Sequence, residues 1–158
     1  MAHILTVDDD NEIRGLIQST LEMAGHKVAS ASDGGQAVAK ISKTRFDVVI
    51  LDIMMPNLNG YEVLEKIREM PSRAGMPVIV LTAKHDPEGV ARALDAGAVD
   101  HLSKPFLPSE LEGAVARALE GGDEAVAERR RALSHGADLT GSMLELTQSA
   151  RDDLDKRR

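Results

Sequence analysis

The sequence predicts an α/β fold in which a doubly wound, five-stranded parallel sheet carries helices on both faces. Short apolar runs alternate with amphipathic segments as far as Glu120, a pattern typical of strand–helix units. The apolar runs are rich in valine, isoleucine and leucine, as expected for parallel strands that are buried on both faces. Gly25 and Gly97 follow two of the amphipathic segments, at positions where helices commonly end.

The first two strand–helix units are predicted from apolar runs that are followed by amphipathic segments. Ala2–Val7 is predicted to be a buried strand, and the helix Asn11–Ala24 after it has apolar residues at helical spacing. The second unit comprises the strand Lys27–Ala31 and the helix Gly34–Lys43. An aspartate that can cap the helix precedes each of the two helices.

The remaining units follow the same pattern. Asp47–Leu51 is a strand of mostly β-branched residues, and the turn-forming residues 56–60 separate it from the helix Tyr61–Met70. Pro108 fits the first turn of the last helix. The other predicted elements are the strand Pro77–Thr82, the helix Pro87–Ala96, the strand Val99–Leu102 and the helix Ser109–Glu120.

Composition limits the class of protein. The 158 residues suit one ordinary domain with a short extension, and the formal net charge of −7 argues against a nucleic-acid partner. The absence of cysteine excludes disulfides and thiolate metal sites. No apolar run approaches the ~20 residues of a membrane span, and no signal peptide is evident. We therefore expect a cytoplasmic protein that does not enter the membrane.

Polar side chains follow four of the predicted strands. Asp8 and Asp9 come after the first strand, Asp52 after the third, Thr82 at the end of the fourth and Lys104 after the fifth. Because the carboxyl ends of parallel strands meet at one edge of a sheet, we expect these groups to converge there. Carboxylates in such a cluster repel each other unless a cation offsets them, and Mg²⁺ prefers such oxygen ligands. The sequence therefore predicts a site for a divalent cation, a phosphoryl group, or both.

Each of these residues also has a plainer interpretation when it is taken alone. Asp52 can cap the loop after its strand, and the aspartates Asp8 and Asp9 can belong to the cap of the first helix. Thr82 can simply end a strand, and Lys104 can be a solvated surface charge. Their recurrence at successive strand ends favours a shared site over coincidence.

Four separated segments carry a resemblance to a known family. They are Val7–Asp9, Leu51–Tyr61, Leu81–Ala83 and Gly97–Phe106. With these segments the chain resembles the receiver domain of two-component response regulators, of the chemotaxis and transcriptional-regulator type, over roughly residues 2–120. The resemblance implies a flavodoxin-like (βα)5 receiver domain over residues 1–120. It also implies a phosphorelay protein of signal transduction rather than an enzyme.

The resemblance assigns roles to the acidic residues. Asp52 is implied to be the phosphoacceptor, which takes a phosphoryl group from a histidine kinase, a phosphotransfer protein or a small donor. Asp9 is implied to bind Mg²⁺ directly, with Asp8 acting largely through water. Asp52 itself and the backbone carbonyl of Met54 would complete the metal ligands, and no organic cofactor is expected.

The resemblance also implies a switch. Lys104 would pair with the phosphoryl group, Thr82 would turn toward it, and His101 occupies the position where the family usually has Tyr or Phe. Arrival of the phosphoryl group would then repack the surface made by the fourth helix, the fifth strand and the fifth helix. We expect that surface to include Val90, Ala91, Leu94, Ala98 and His101. The peptide bond between Lys104 and Pro105 is often cis in this family.

Two other functions compete with this one. A pseudo-receiver would dock a partner protein without phosphorylation, although the acidic residues with Thr82 and Lys104 argue against it. A phosphatase that resembles the haloacid dehalogenases would need a second aspartate two residues after its nucleophile. This chain has Met54 at that position.

Residues 121–158 differ in character from the rest of the chain. Leu139, Met143, Leu146 and Leu154 recur at helical spacing, which predicts a helical extension used for dimerisation or partner binding. A solvating tail without a partner is the alternative. The segment is short for a DNA-binding domain, so we expect either a stand-alone receiver or a piece of a longer protein. A homodimer through this tail or through the helix-and-strand surface and an unknown downstream protein target are the expected outputs.

Overall fold

Five strands and five helices alternate along the chain in the computed structural model, which describes residues 1–120. The strands are β1 His3–Val7, β2 Lys27–Ala31, β3 Val48–Asp52, β4 Val78–Ala83 and β5 Asp100–Lys104. The helices are α1 Asn11–Met23, α2 Gly34–Lys43, α3 Gly60–Glu69, α4 Pro87–Asp95 and α5 Pro108–Glu120. Every element predicted over this range is present, and the predicted helical extension over residues 121–158 lies outside the described residues.

The predicted bounds need small corrections, and local hydrogen bonds explain the clearest of them. Helix α3 begins at Gly60, earlier than predicted, because Asn59 caps it in a reciprocal capping box with Glu62. Strand β5 continues beyond its predicted end, because Lys104 still pairs with Ala83 of β4. The lysine of the predicted site is therefore part of the sheet.

All five strands run parallel in the order β2-β1-β3-β4-β5. In this order β1 and β3 are neighbours, and the connections leave them toward opposite sides of the sheet. A doubly wound sheet forms its ligand crevice at such a point, outside the carboxyl ends of the strands. The predicted doubly wound, five-stranded parallel sheet is confirmed.

Two apolar cores separate the sheet from its helices. Leu5, Val49 and Val80 belong to the core shared with α2, α3 and α4. Ile4, Ile50 and Ile79, which are next to them along the strands, belong to the core shared with α1 and α5. Because successive strand residues point to opposite faces, the continuous apolar runs supply both cores at once. Each fully buried side chain of this size contributes about 1.5–3 kcal/mol.

No helix within residues 1–120 combines the length and the apolar composition that crossing a bilayer requires.

Candidate functional site

Three carboxylates meet at the carboxyl edge of the sheet. Asp8 directly follows β1 and is fully buried, Asp9 beside it is exposed, and Asp52 is the last residue of β3 with only 3% of its surface exposed. One carboxylate oxygen from each residue lies within 4.8 Å of the other two. The structure thus brings together the three acidic residues that the sequence predicted would converge.

Lys104 reaches into this cluster from the end of β5. Its Nζ lies 2.9 Å from Oδ2 of Asp8 and 3.3 Å from Oδ2 of Asp52. The lysine side chain keeps 27% of its surface exposed, so the ammonium group stands between the buried acids and solvent. A single ammonium group cannot neutralise three carboxylates, and the cluster therefore has an excess of negative charge.

Backbone donors hold the two buried carboxylates in place. Oδ1 of Asp8 accepts from the N–H of Asp10 at 2.9 Å, and Oδ1 of Asp52 accepts from the N–H of Met54 at 3.1 Å. Asp10 in turn caps α1 by accepting from the N–H of Glu12 at 2.8 Å. The loops that leave β1 and β3 therefore fold back onto the acids that precede them.

Arg14 also supports the site, although it was missed in the sequence analysis. Its Nη1 donates to the backbone carbonyl oxygen of Asp8 at 2.8 Å. A signal was present in the sequence, because Arg14 stands one helical turn after the capping Asp10. Long side chains in a helix point back toward the N-terminus and can reach the residues before it.

Burial and charge perturb the acid–base behaviour of the site. Burial, together with the nearby Asp8 carboxylate, raises the pKa of Asp52 to about 6 against the opposing effects of Lys104 and the Met54 N–H. Burial alone would lower the pKa of Lys104, but Asp8 and Asp52 outweigh it and raise the pKa above its ordinary value. Lys104 is therefore a permanent cation, and Asp52 lacks enough positive charge around it.

Thr82 and His101 stand on neighbouring strands beside the cluster. Thr82 pairs in register with Ser103, two residues after His101, so all three belong to one face of the sheet. Thr82 is 1% exposed, and its hydroxyl has no hydrogen-bond partner among residues 1–120. Burial lowers the pKa of His101, although Asp100 opposes the shift, so the partly buried ring is neutral near pH 7.

The donor set fits a hard divalent cation. Carboxylate oxygens on Asp8, Asp9 and Asp52 are close enough to share one ion, and Mg²⁺ takes such oxygens while keeping several waters. A divalent ion held there would also offset the charge of Asp8, which together with burial raises the pKa of Asp52. The N–H of Met54 donates to Asp52 and so holds the backbone of Met54 beside the site. The role of the Met54 carbonyl oxygen as a metal ligand stays a prediction.

The fold and the site together define a class of protein: a doubly wound α/β domain that holds a buried carboxylate beside a lysine, within a cluster of acidic residues that could hold a metal ion. The family model of the response regulator receiver domain matches residues 4–116. The chain belongs to this family, whose members are signalling modules of two-component systems. The cis peptide bond between Lys104 and Pro105, expected from the resemblance, is present.

Curated relatives support the same assignment. The chain is 38% identical over 112 residues to the alkaline phosphatase synthesis transcriptional regulatory protein PhoP of Bacillus subtilis, a match covering 71% of this chain and 46% of PhoP. It is 38% identical over 111 residues to the response regulator SaeR of Staphylococcus aureus, covering 70% of this chain and 47% of SaeR. The matches span about half the length of the curated relatives.

Solved structures show the same fold. The chemotaxis protein CheY4 of Vibrio cholerae superposes with a TM-score of 0.72 at 39% identity, over 75% of this chain and 99% of that one. The receiver domain of NtrX from Brucella abortus gives a TM-score of 0.71 at 32% identity, with the same two coverages of 75% and 99%. The flavodoxin-like receiver fold predicted from the sequence is confirmed.

Proposed function

We propose that this protein is a phosphorylation-switched receiver in which Asp52 accepts a phosphoryl group from a histidine kinase or a phosphotransfer protein. The observation that carries the proposal is the setting of Asp52. This carboxylate is buried, lies 3.3 Å from the Lys104 ammonium, and shares its edge of the sheet with the carboxylates of Asp8 and Asp9. Membership of the receiver family supports the same role.

The transfer needs a nucleophile and positive charge around the moving phosphoryl group. A carboxylate oxygen of Asp52 bonds to phosphorus, the phosphorus–nitrogen bond of the donor phosphohistidine breaks, and its electron pair stays on the histidine. Lys104 pairs with the phosphoryl oxygens, and the unpartnered hydroxyl of Thr82 donates to one of them.

Asp8, Asp9, Asp52 and the backbone carbonyl of Met54 would hold Mg²⁺ in this proposal, with Asp8 acting largely through water. When bound, the ion supplies positive charge that offsets the carboxylates and the phosphoryl oxygens. The close approach of the three carboxylates supports this assignment.

The response to phosphorylation involves the surface of α4, β5 and α5. Thr82 and His101 move inward, and this surface repacks as a shift between two populations. Val90, Ala91 and His101 are partly exposed and belong to it. Leu94 and Ala98 were expected there too, but they are 3% and 0% exposed and pack in the core, so that expectation was wrong.

The partners and location follow from this function as further parts of the proposal. We infer a cytoplasmic protein whose phosphorylated form binds a downstream protein target through the α4-β5-α5 surface, with or without forming a homodimer. The relatives continue beyond the part that matches, so the output of the whole protein is also a proposal. The role of residues 121–158 in dimerisation or partner binding and the expected lack of a DNA-binding domain stay predictions.

Phosphorylation of the full chain by acetyl phosphate with Mg²⁺ tests the proposal. We expect intact mass spectrometry to show one added phosphoryl group, which hydroxylamine removes because it is an acyl phosphate. Asp52→Asn should abolish the label, whereas Asp47→Asn, at the opposite edge of the sheet, should keep it. Equal labelling of the Asp52→Asn variant and the parent would refute the proposal, as would a parent that is never labelled.

A further inference from the structure

Two loops leave the site, and each one leads into a helix. Residues 53–59 connect Asp52 to α3, and the loop folds back so that the N–H of Gly60 donates to the carbonyl oxygen of Ile53 at 3.0 Å. A Cβ on Gly60 would lie only 2.7 Å from the carbonyl oxygen of Asp52. The first turn of α3 is thus packed against the backbone of the proposed phosphoacceptor.

Tyr61, the next residue, reaches from α3 to the first turn of α4. Its hydroxyl donates to the carbonyl oxygen of Gly89 at 3.3 Å, and the guanidinium carbon of Arg92 lies 3.9 Å from the centre of its ring. A Cβ on Gly89 would lie 3.1 Å from this hydroxyl, so a side chain there would crowd the contact. Tyr61, Gly89 and Arg92 form a contact that we term the α3–α4 clasp.

The second loop reaches the same glycine from the other side. Asp86 caps α4 by accepting from the N–H of Gly89 at 3.0 Å, and only three residues separate Asp86 from Thr82. One of them, His85, has a φ of 61°, so the connection is a tight turn. The N–H of Gly89 therefore connects α4 to the loop that follows Thr82. The carbonyl oxygen of Gly89 connects α4, through Tyr61, to the loop that follows Asp52.

We propose that Tyr61 is a positioning residue: the α3–α4 clasp holds α4 in the position seen here, and phosphorylation of Asp52 releases it. The inference rests on the proposed function and adds the element that carries the signal to α4. Burial and Asp86 raise the pKa of Tyr61 against the effect of Arg92, so its hydroxyl keeps the proton that it donates. The clasp joins the two loops that phosphorylation disturbs, which is why its contacts should differ between the two states.

Tyr61 provides its own reporter, because the chain contains one tyrosine and no tryptophan. The full-length protein with Mg²⁺ is titrated with beryllofluoride, which imitates a phosphoryl group on a carboxylate. We expect the tyrosine fluorescence to change as the site fills. In Tyr61→Phe and Arg92→Gln, ¹⁵N amide NMR of α4 should show a partial shift before any beryllofluoride is added. The apparent affinity for beryllofluoride, followed by the same amide NMR signals in parent and variants because Tyr61→Phe lacks the fluorophore, should be about 3–10-fold tighter. The reason is that a larger fraction of the variant protein is already in the conformation that binds beryllofluoride.

Lys40→Gln is the matched control, since it removes a contact from an exposed side chain to the carbonyl oxygen of Ser30 on the far side of the molecule. It should leave the affinity unchanged. If Tyr61 only stabilises the fold, the Tyr61→Phe variant should have a lower melting temperature but should not bind beryllofluoride more tightly. That result would overturn the inference. Weaker binding in both clasp variants would do the same. A parent protein that never responds to beryllofluoride would instead contradict the proposed function itself.

Discussion

The two edges of the sheet accommodate charged side chains in opposite ways. At the amino edge, the guanidinium of Arg68 donates to the carbonyl oxygens of Ala74, Met76 and Gly97, and Nε of Arg73 donates to Ile41 at 2.8 Å. At the carboxyl edge, the buried acids compete for a single ammonium group. Within residues 1–120, Arg68 and Arg73 donate to neutral carbonyl oxygens, whereas the carboxylates of Asp8, Asp9 and Asp52 lie close to one another.

This difference distinguishes charged side chains that stabilise the fold from charged side chains that form a functional site. A guanidinium with carbonyl acceptors needs nothing more from outside the chain, and it fixes the loops whose carbonyls it binds. The cluster at Asp52 has a carboxylate with a raised pKa, and the hydroxyl of Thr82 beside it has no partner within residues 1–120. Charges left uncompensated in a folded protein commonly mark a binding or catalytic site.

Removing the guanidinium at the amino edge should have the largest effect on stability. Arg68→Ala removes the guanidinium that donates to the carbonyl groups of three residues, and we expect a loss of about 2–4 kcal/mol in the free energy of unfolding. Labelling of Asp52 by acetyl phosphate should continue at the parental rate below the melting temperature. Urea denaturation and mass spectrometry measure the two quantities.

Arg68→Lys is the companion variant, because it keeps the charge but loses the fork of donors. Its stability should fall between those of the parent and Arg68→Ala. A stable Arg68→Ala protein that no longer accepts phosphate would contradict the structural role assigned to the amino edge.

Removing a charge at the carboxyl edge should instead raise the free energy of unfolding. Asp52 has a pKa of about 6 in the folded protein, against an ordinary value of 3.8 for an aspartate in the unfolded chain. Between these values the folded protein binds more protons than the unfolded chain, so stability falls as pH rises and stays reduced above pH 6. We therefore expect Asp52→Asn to stabilise the Mg²⁺-free protein by about 1–3 kcal/mol at pH 7.

The pH and metal dependence of this gain provide the control. The substituted amide carries no charge, so the advantage of Asp52→Asn should shrink toward pH 4, where the aspartate also becomes neutral in the folded state. It should also shrink at pH 7 when Mg²⁺ saturates the parent. Chemical denaturation at several pH values, with and without Mg²⁺, measures it. A variant less stable than the Mg²⁺-free parent at pH 7 would show that the cluster is not short of positive charge.

The sequence was sufficient for the order of the elements and for the convergence of Asp8, Asp9, Asp52, Thr82 and Lys104. Strand periodicity and topology place residues at strand ends, and those rules are local. What the sequence did not reveal depends on packing between distant elements. The contact of Tyr61 with Gly89 spans 28 residues and that of Arg68 with Gly97 spans 29. No local pattern specifies which turn of α4 meets which turn of α3.

Local sequence patterns also did not predict which individual side chains are exposed. Leu94 and Ala98 were expected on the output surface because they lie in the right segment. Which face of α4 and of the turn after it meets the core is decided by the position of α3 and the sheet, and both residues pack there. Helical spacing alone gives a stripe of side chains, and the rest of the fold determines which stripe is buried.

His101 offers the smallest and most discriminating test, since burial favours loss of a proton from this base, whereas burial favours retention of a proton by the acid Asp52. Its pKa is lowered in the folded protein, chiefly by burial. Below pH 6.5 the unfolded chain binds a proton that the folded protein resists, so His101 makes stability fall as pH decreases, opposite in sign to Asp52. His101→Phe removes this proton site. We expect its stability relative to the parent to rise as pH falls from about 7 to about 5, by less than the effect of Asp52→Asn. A relative stability that declines over the same range would mean that Asp100 outweighs burial and that the ring is charged in the folded state.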